Sequence, residues 1–573
     1  MKVGRRDILL GGSAALAAAY AGPARAAPGQ TADMILHGGQ VLTVDPKFRK
    51  ASAVAVKGGK IAAVGGPELL KDWSSVNTID LAGRTLMPGF NDAHVHIYAI
   101  APRAIEPDKT KSIIELQDVL RAKAASLGKG EWITGYGWDE AQWTEKRNPT
   151  RADLDKATPD NPVVLTRAGS HSAVVNSRAL ELAHITRATP DPQAGIIEKD
   201  ASGEPNGIIR ERFDIVSRLV PGDRFETLRE SYVQALKNLL PLGITSFQSA
   251  STGIGDEPVD GEPVRDGSGL TWRRMRGIYD QFGADLPRAT LYINFPGEAR
   301  MKAFGKKSGD GDDRVRLGPI GENLVDGGFT GPTAWLLADY KGQPGFRGKG
   351  RFTDEELQKI VDTSNEYGWQ MGLHAIGDAA IVQTVKAYAA SLKKRPRTDH
   401  RWFLCHFTIM PPDDTMKTMH DNAIMIAQQP NFLYNLEARY EATLDDWRLE
   451  HNNPIATPVK KHGLFMAFSS DNLPIDPRVA IYAATTRKGP SGRVHGIEEK
   501  VSREEAIRMH TANGAHLSWE EKTKGTLEVG KLADMVILKQ DPLKVVDSEL
   551  LTLDVDATYV GGKMAYKRPG ARA

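Results

Sequence analysis

Two histidines stand one residue apart in the stretch PGFNDAHVHI, residues 88–97. Successive side chains of a β-strand point to opposite faces, so positions i and i+2 share a face. If this segment is a strand, His94 and His96 therefore point the same way. Imidazole is the commonest metal ligand in proteins. The pair is a candidate half of a metal site, or else two ordinary polar residues at the end of a strand.

Other polar side chains follow apolar segments in the same manner. QMGLH ends at His374 and RWFLCH at His406, with a helical pattern between them. The strands of such a βαβ unit are parallel, which places both histidines at the carboxyl edge of the sheet. LFMAFSSD reaches Asp471 in the same way. Cys405, beside His406, is expected to face the opposite side of its strand as a buried apolar residue.

The four imidazoles and one carboxylate form a ligand set for a divalent metal, and zinc is the expected ion. A catalytic zinc keeps an open position for water and lowers the pKa of that water to about 7. Asp471 is ionised at neutral pH, so it can accept the proton and pass it to a leaving nitrogen. Each residue also has an ordinary explanation. His374 and His406 could simply line a barrel, and Asp471 could cap the next helix.

Repeated strand–helix units with polar groups at the strand ends predict an α/β fold, a TIM-like (β/α)8 barrel. The predicted barrel, residues 87–519, exceeds the ~250 residues typical of that fold, so we expect an insertion around residues 106–221. The two chain ends, residues 28–86 and 520–573, contain short β-branched runs separated by glycine pairs. Neither end has enough strands for its own core, so we expect them to pair in one composite β-sandwich domain.

The composition excludes several classes of protein. The 74 basic and 72 acidic residues leave a net charge of +2, which gives no reason to expect a nucleic acid partner. A single cysteine excludes a disulfide framework and a cysteine-rich zinc site. No segment after residue 27 reaches the ~18 apolar residues of a membrane span, so no membrane partner is expected in the mature chain.

Residues 1–27 have the basic start, apolar middle and small-residue end of a signal peptide. The adjacent Arg5 and Arg6 favour a twin-arginine signal over a plain secretory one. The sequence therefore predicts a periplasmic or secreted protein, and it leaves open whether the chain forms a homo-oligomer.

At these motifs the sequence resembles the metal-dependent amidohydrolase superfamily, specifically the amidohydrolase-3 group that includes the N-substituted formamide deformylases. The resemblance implies a (β/α)8 barrel with a split β-sandwich. It also implies metal contacts at the histidines above and at Asp471, which would act as the general base. The similar stretches cover nearly all of the mature chain: LMPGFNDAHVHI, WITGYGWDEAQW, SHSAVVNSRAL, GITSFQSA, DGGFTGPTAWL, HAIGDAAI, the His406 strand, SSDNLPID and GTLEVGKLADMVILKQDPL.

One position departs from that group. Its members commonly carry a lysine four residues before the Asp-Gly of the third strand, and the carboxylated lysine can bridge two metals. Here Glu322 stands four residues before Asp326 and Gly327. The glutamate carboxylate could bridge two ions directly, or it could point elsewhere in a site with one ion.

Candidate substrate contacts lie in and after the predicted insertion. Trp138 and Asp139 follow a Gly-Tyr-Gly segment and are the best candidates to face the substrate, although a tryptophan also suits a core. His171 is expected to bind a substrate carbonyl or to anchor the insertion. Asp378, four residues after His374, is expected to cap a helix or to orient a ligand histidine.

The predicted function is hydrolysis of an amide-type C–N bond in a small molecule, with one or two divalent ions. A deaminase or a cyclic-amide hydrolase would use the same residues, so both stay open as alternatives. A non-catalytic binding protein on the same barrel is a third alternative, which the complete ligand set disfavours.

Overall fold

The structure, a computed structural model, describes residues 29–255, 263–264 and 269–572. The predicted signal peptide, residues 1–27, lies outside the described residues. At the centre is an eight-stranded sheet whose strands are all parallel and neighbour each other in chain order. The strands are β1 (Phe90–Val95), β2 (Ile244–Thr252), β3 (Arg288–Ile293), β4 (Val315–Gly321), β5 (Met371–Ala375), β6 (Phe403–His406), β7 (Met425–Gln428) and β8 (Met466–Phe468).

The first and last strands of this sheet meet just beyond their carboxyl ends. The backbone N–H of Asp471 donates to the carbonyl of His94 at 2.8 Å. The N–H of Ser470 donates to the Asp92 carboxylate at 2.9 Å. These bonds bring the sheet to a nearly closed barrel, so the predicted TIM-like α/β fold is confirmed.

Helices follow most of the barrel strands. The longest pair, Asp354–Glu366 and Asp378–Lys394, flanks β5. The first of these begins with a capping box, in which Thr353 and Glu356 satisfy each other's backbone N–H groups. The helices of this region are Phe225–Lys237, Trp272–Phe282, Glu298–Phe304, Asp354–Glu366, Asp378–Lys394, Asp413–Asp421, Asn431–Asn435, Glu437–Thr443, Asp446–Glu450, Pro477–Thr486, Arg503–Met509 and Ala512–Leu517.

A six-stranded sheet lies between β1 and β2 in the chain, in the stretch predicted as an insertion. It has apolar clusters of its own on helix and strand faces. Its strands are Ala104–Ile105, Ile133–Trp138, Val163–Arg167, Ser172–Val175, Ile196–Lys199 and Pro205–Arg210. Its helices are Ile113–Leu127, Arg151–Asp155, Ser177–Leu182 and Asp214–Ser217.

A third sheet combines strands from both chain ends. Met535–Leu538 pairs antiparallel with Thr85–Pro88, which leads directly into β1. The buried ion pair of Arg288 and Asp534, at 2.7 Å, joins this sheet to the barrel. The sandwich arrangement and the domain boundaries stay predictions. The strands of the sheet are Met34–Leu42, Lys50–Lys57, Lys60–Gly65, Thr78–Asp80, Thr85–Pro88, Met535–Leu538, Val555–Val560 and Lys563–Lys567.

Among the described residues, no helix combines the length and apolar character that crossing a bilayer requires.

Candidate active site

The carboxyl ends of four barrel strands bring four imidazoles around one carboxylate. The Oε2 atom of Glu322, just after β4, lies 3.6 Å from His94 Nε2 and 3.9 Å from His406 Nε2. Its Oε1 atom lies 3.7 Å from His96 Nε2 and 3.5 Å from His374 Nδ1. The structure thus places Glu322 at the centre of the predicted ligands.

Asp471, which follows β8, completes the cluster. Its Oδ1 atom lies 3.4 Å from His96 Nε2. Ligand atoms of His94, His406 and Asp471 all lie within 4.8 Å of one another, and the same holds for Glu322, His374 and His406. The structure therefore brings together all six residues that the sequence suggests as metal ligands.

Three of these residues have a left-handed backbone. The φ angle is 54° at Glu322, 76° at His406 and 60° at Asp471. Such conformations cost about 1–3 kcal/mol each in residues other than glycine and cluster at functional sites. Here they occur where the strands end, so they redirect side chains that regular strand geometry would not bring to one point.

The orientation predicted for Cys405 is wrong. Its Sγ atom lies within 4.8 Å of ligand atoms of His94 and Glu322, at the floor of the cluster. The prediction assumed regular alternation along β6, which fails because His406 has a φ of 76°. Burial, reinforced by the Glu322 charge, raises the pKa of the Cys405 thiol well above its usual range. The thiol therefore stays neutral, and it donates to the carbonyl of Gly372 at 3.4 Å.

The cluster contains buried polar atoms without hydrogen-bond partners. These are both ring nitrogens of His94 and His374, Nδ1 of His96, Nε2 of His406 and Oε2 of Glu322. An unsatisfied buried polar atom costs about 1–3 kcal/mol, so a cation that contacts several of them offsets a considerable penalty. Imidazole and carboxylate donors suit zinc and related divalent ions. The residues present therefore fit a divalent metal.

The electrostatics of the cluster concentrate negative charge on Glu322. Burial alone would raise the pKa of its carboxyl, but His94 and His374 outweigh burial and hold that pKa well below normal. Burial lowers the pKa of His94 to about 3 and that of His406 well below its usual value. Neutral imidazole is the form that binds metal. Burial, together with the Glu322 charge, raises the pKa of the Asp471 carboxyl.

A chain of side-chain hydrogen bonds fixes His406 from behind. Its Nδ1 atom lies 2.9 Å from Gln429 Oε1, and Gln429 Nε2 donates to Ser469 Oγ at 2.8 Å. Sequence reasoning missed Gln429, because nothing distinguishes it from the neighbouring Gln428 along the chain.

A carboxylate that sequence reasoning gave no role also lies beside His374. Asp326 Oδ1 is 3.6 Å from His374 Nε2, and the Asp326 carboxylate accepts the backbone N–H groups of Ile376 and Gly377 at 3.0 and 2.8 Å. Asp378, the predicted orienting residue, accepts the N–H of Leu337 at 2.9 Å at the start of its helix. Asp326 is therefore the better placed of the two to orient His374.

His171 lines the cavity at the cluster and is held by the insertion's own carboxylate. Its Nδ1 atom lies 3.1 and 3.2 Å from the two oxygens of Glu211, which also accepts from Arg351 Nη2 at 2.6 Å and from Thr333 Oγ1. The His171 ring lies 5.7 Å from the His374 ring. Burial alone would raise the pKa of Glu211, but the charge and hydrogen bond of His171, with Arg351 and Thr333, lower it to about 2. Sequence reasoning missed Glu211.

The two candidates before His171 lie apart from the cluster. Trp138 is 1% exposed and packs in the apolar core of the insertion with Ile133 and Leu165. It lines neither of the cavities described below. Asp139 accepts the N–H of Ala141 at 3.0 Å and lines the larger cavity.

Two adjoining cavities lead to the cluster. The smaller has a volume of about 140 Å³ and is lined by His96, His171, Glu322 and Asp471, among others. The larger, of about 1270 Å³, lies between the barrel and the insertion. A nearly closed parallel barrel with a metal-binding cluster at its strand carboxyl ends is the arrangement of a catalytic site.

Comparison with known proteins shows the family of the chain. The model of the amidohydrolase family, Amidohydro_3, matches residues 77–566. The putative amidohydrolase YtcJ of Bacillus subtilis is 29% identical over 93% of this chain and 99% of its own. The N-substituted formamide deformylase of Arthrobacter pascens is 27% identical over 95% of this chain and 100% of its own. A crystal structure of an uncharacterized metal-dependent hydrolase from Pyrococcus horikoshii, 23% identical, has a TM-score of 0.68 and covers 90% of this chain and 99% of its own.

The chain belongs to the amidohydrolase family. The predicted resemblance is confirmed, and so is the predicted class of enzyme, a metal-dependent hydrolase that acts on carbon–nitrogen bonds other than peptide bonds.

Proposed function

We propose that the chain hydrolyses the amide-type C–N bond of a small molecule with one or two zinc ions. The observation that carries this proposal is the position of Glu322, whose two oxygens lie 3.5–3.9 Å from four imidazoles, with Asp471 beside them. The relative named N-substituted formamide deformylase supports an amide as substrate.

The metal, when bound, supplies water with a pKa near 7 and thus a nucleophile at neutral pH. The four imidazoles would hold the ion or ions, and the Glu322 carboxylate, which lies among them, would serve as a further ligand. A glutamate therefore replaces the carboxylated lysine common in this group.

Asp471 is the proposed proton carrier. It lines the smaller cavity next to His96, within reach of a reacting group held there. It takes a proton from the attacking water and delivers it to the leaving nitrogen. His171, held in place by Glu211 and lining the same cavity, is the proposed contact of the substrate carbonyl oxygen.

The test is a hydrolysis screen of the metal-loaded full chain against N-acyl, N-formyl and cyclic amides, with a chelator control. Asp471→Asn removes the proton acceptor but keeps an amide oxygen in the same place, and the imidazoles and Glu322 should still retain metal. It should lower kcat by about 10²–10⁴-fold, since general acid–base catalysis contributes on that order. The matched control is Asp413→Asn, which changes an exposed carboxylate paired with Lys461 and should retain activity. A fully active Asp471→Asn enzyme refutes the assignment, and ammonia release without amide cleavage would favour a deaminase.

Metal analysis of Glu322 variants tests the bridge separately. Glu322→Gln keeps the shape but removes the charge, so the metal content per chain should fall, and Glu322→Ala should lower it at least as far. Unchanged stoichiometry and activity in both variants would show that Glu322 is no ligand.

We also propose export of the chain through a twin-arginine signal. The support is the sequence of residues 1–27 alone. Replacing Arg5 and Arg6 by lysine should retain the precursor in the cytoplasm of the expressing cell, whereas export of that variant would indicate a plain secretory signal.

A further inference from the structure

The larger cavity adjoins the smaller one at the metal-binding cluster. Tyr98, Ser170, Leu436 and Leu473 line both cavities, so they lie where the two meet. Tyr98 also stacks on His96, a candidate metal ligand, with the ring centroids 5.7 Å apart. A substrate that reacts at the cluster therefore has the larger cavity beside it for the rest of its structure.

The two cavities differ strongly in size. The smaller, of about 140 Å³, has room for the reacting group and little more. The larger, of about 1270 Å³, exceeds the ~300–1,000 Å³ of ordinary ligand pockets. The geometry therefore admits one small and one large substituent on the bond that is cleaved.

The wall of the larger cavity is mainly apolar. The insertion contributes aliphatic and aromatic side chains, and the barrel contributes a helix, Glu437–Thr443, that presents alanines. The apolar residues of this wall include Ile100, Ile105, Val164, Phe213, Val220 and Ala438.

The arginines on this wall are neutralised by partners within it. Arg103 donates to Asp223 at 2.7 Å. Glu140 accepts from Arg167 at 2.8 Å and also pairs with Arg439, and a second carboxylate, Asp139, lies 3.6 Å from Arg167. A charged substituent would have to displace these pairs, whereas an apolar one would not.

We propose that the substrate is an amide with one small substituent and one extended, uncharged apolar substituent, and that the apolar part occupies the larger cavity. This inference rests on the proposed function for the bond that is cleaved. The occupancy of the larger cavity can be measured without turnover.

The size of the effect follows from the transfer of methylene groups out of water. Burial of one CH₂ is worth about 0.8 kcal/mol, which corresponds to about a fourfold gain in affinity. Immobilising the chain reduces this gain, so we expect about two- to fourfold per methylene until the cavity is filled.

The experiment uses two series on the metal-loaded full chain: N-alkylformamides, and N-methylamides of straight-chain acids, each from one to eight alkyl carbons. Dissociation constants are measured by calorimetry with the Asp471→Asn variant, and kcat/KM is measured with the unsubstituted chain. Affinity should rise about two- to fourfold per methylene in at least one series, and that series shows which side of the amide faces the larger cavity. Less than about 1.5-fold per methylene in both series would overturn the inference.

Substitutions that fill the larger cavity test the same inference from the side of the protein. Ala438→Trp, on the cavity wall, should flatten the dependence on chain length, and Ala442→Trp on the same helix serves as a second filling variant. Ala122→Trp is the control, on an exposed position of the helix Ile113–Leu127, and should keep the original dependence. A dependence that survives both filling variants overturns the inference.

The two proposals fail in different ways. Chain-length-dependent binding without hydrolysis of any amide would refute the proposed function and leave the apolar site standing. Hydrolysis without chain-length dependence would leave the proposed function standing and refute the apolar site.

Discussion

Gln429 is not itself a candidate metal ligand, but it should strengthen metal binding by orienting the candidate ligand His406. The hydroxyl of Ser469 donates to the carbonyl of Gln428 at 3.1 Å, so Ser469 Oγ is free to accept from Gln429 Nε2 at 2.8 Å. That bond fixes the orientation of the Gln429 amide, and its Oε1 atom must then accept from His406 Nδ1 at 2.9 Å. The proton of His406 therefore sits on Nδ1, which leaves Nε2 as a lone-pair donor facing the cluster.

Gln429→Leu removes the oxygen that accepts from His406 and leaves the buried Nδ1–H of His406 without a partner. Loss of such an orienting partner typically weakens metal binding by about 10–100-fold, which is about 1.4–2.7 kcal/mol. Ser469→Ala should have a smaller effect of about 1 kcal/mol, because the amide keeps its place and loses only one hydrogen bond. Competition with a chelator of known zinc affinity measures these differences directly.

The control for this prediction is Gln383→Leu. Gln383 is also a buried glutamine, and it donates to the carbonyl of Phe352 at 3.0 Å on a helix away from the site. The Gln383→Leu variant should therefore have a lower free energy of unfolding and an unchanged affinity for zinc. If Gln429→Leu binds zinc as tightly as the unsubstituted chain, or if Gln383→Leu weakens binding equally, the tautomer argument fails.

Three further predictions concern stability. Glu211→Gln should lower the free energy of unfolding by about 3 kcal/mol at pH 7, as for other broken buried ion pairs. The control Glu204→Gln, which breaks an exposed pair with Arg187, should lower it by less than about 0.5 kcal/mol. Burial alone would raise the pKa of Glu211, but His171, Arg351 and Thr333 lower it to about 2, below the ordinary 4.5 of a glutamate. Its contribution to stability is therefore complete above pH 4.5 and is lost as the pH falls towards 2. Urea unfolding should show a smaller difference between Glu211→Gln and the unsubstituted chain at pH 3 than at pH 7, and an equal difference would contradict this. Trp138→Ala should lower the free energy of unfolding by about 3–5 kcal/mol because it leaves a cavity in the core of the insertion. The KM for small amides should stay within about twofold. A large change in KM would show that Trp138 contacts the substrate. Removing the metal with a chelator should lower the thermal midpoint and zinc should restore it, since only the folded chain assembles the ligands, and an unchanged midpoint would argue against a metal in this cluster.

Most of the candidate metal ligands could be predicted from the sequence because two rules of strand geometry locate them. Alternation along a strand places His94 and His96 on one face, and parallel strands put His374, His406 and Asp471 at one edge. Glu322 was found only through the resemblance to a family, since no periodic pattern marks it.

The residues proposed to contact the substrate were harder to predict from the sequence, because their contacts join distant parts of the chain. Glu211 meets His171 from 40 residues away and Thr333 from 122 residues away, and no local rule specifies such a contact. Trp138 is equally suited by its chemistry to a cavity wall and to a core, so only the packing of the insertion decides between them. The two adjoining cavities likewise arise from how the insertion packs on the barrel.

Three candidate ligands of the site combine a strained backbone with polar atoms that a metal ion could contact. Glu322, His406 and Asp471 each have a positive φ, at a cost that regular strand continuation would avoid. The same three residues carry carboxylate or imidazole atoms that an ion can contact together, and Glu322 Oε2 and His406 Nε2 have no other partner. The strain and the unpaired atoms therefore occur at the same strand ends, and a bound cation would offset the penalty of the unpaired atoms while holding the strained backbone. On this argument, Glu322→Gly should relieve backbone strain and stabilise the metal-free chain relative to Glu322→Ala, although neither variant keeps the central carboxylate.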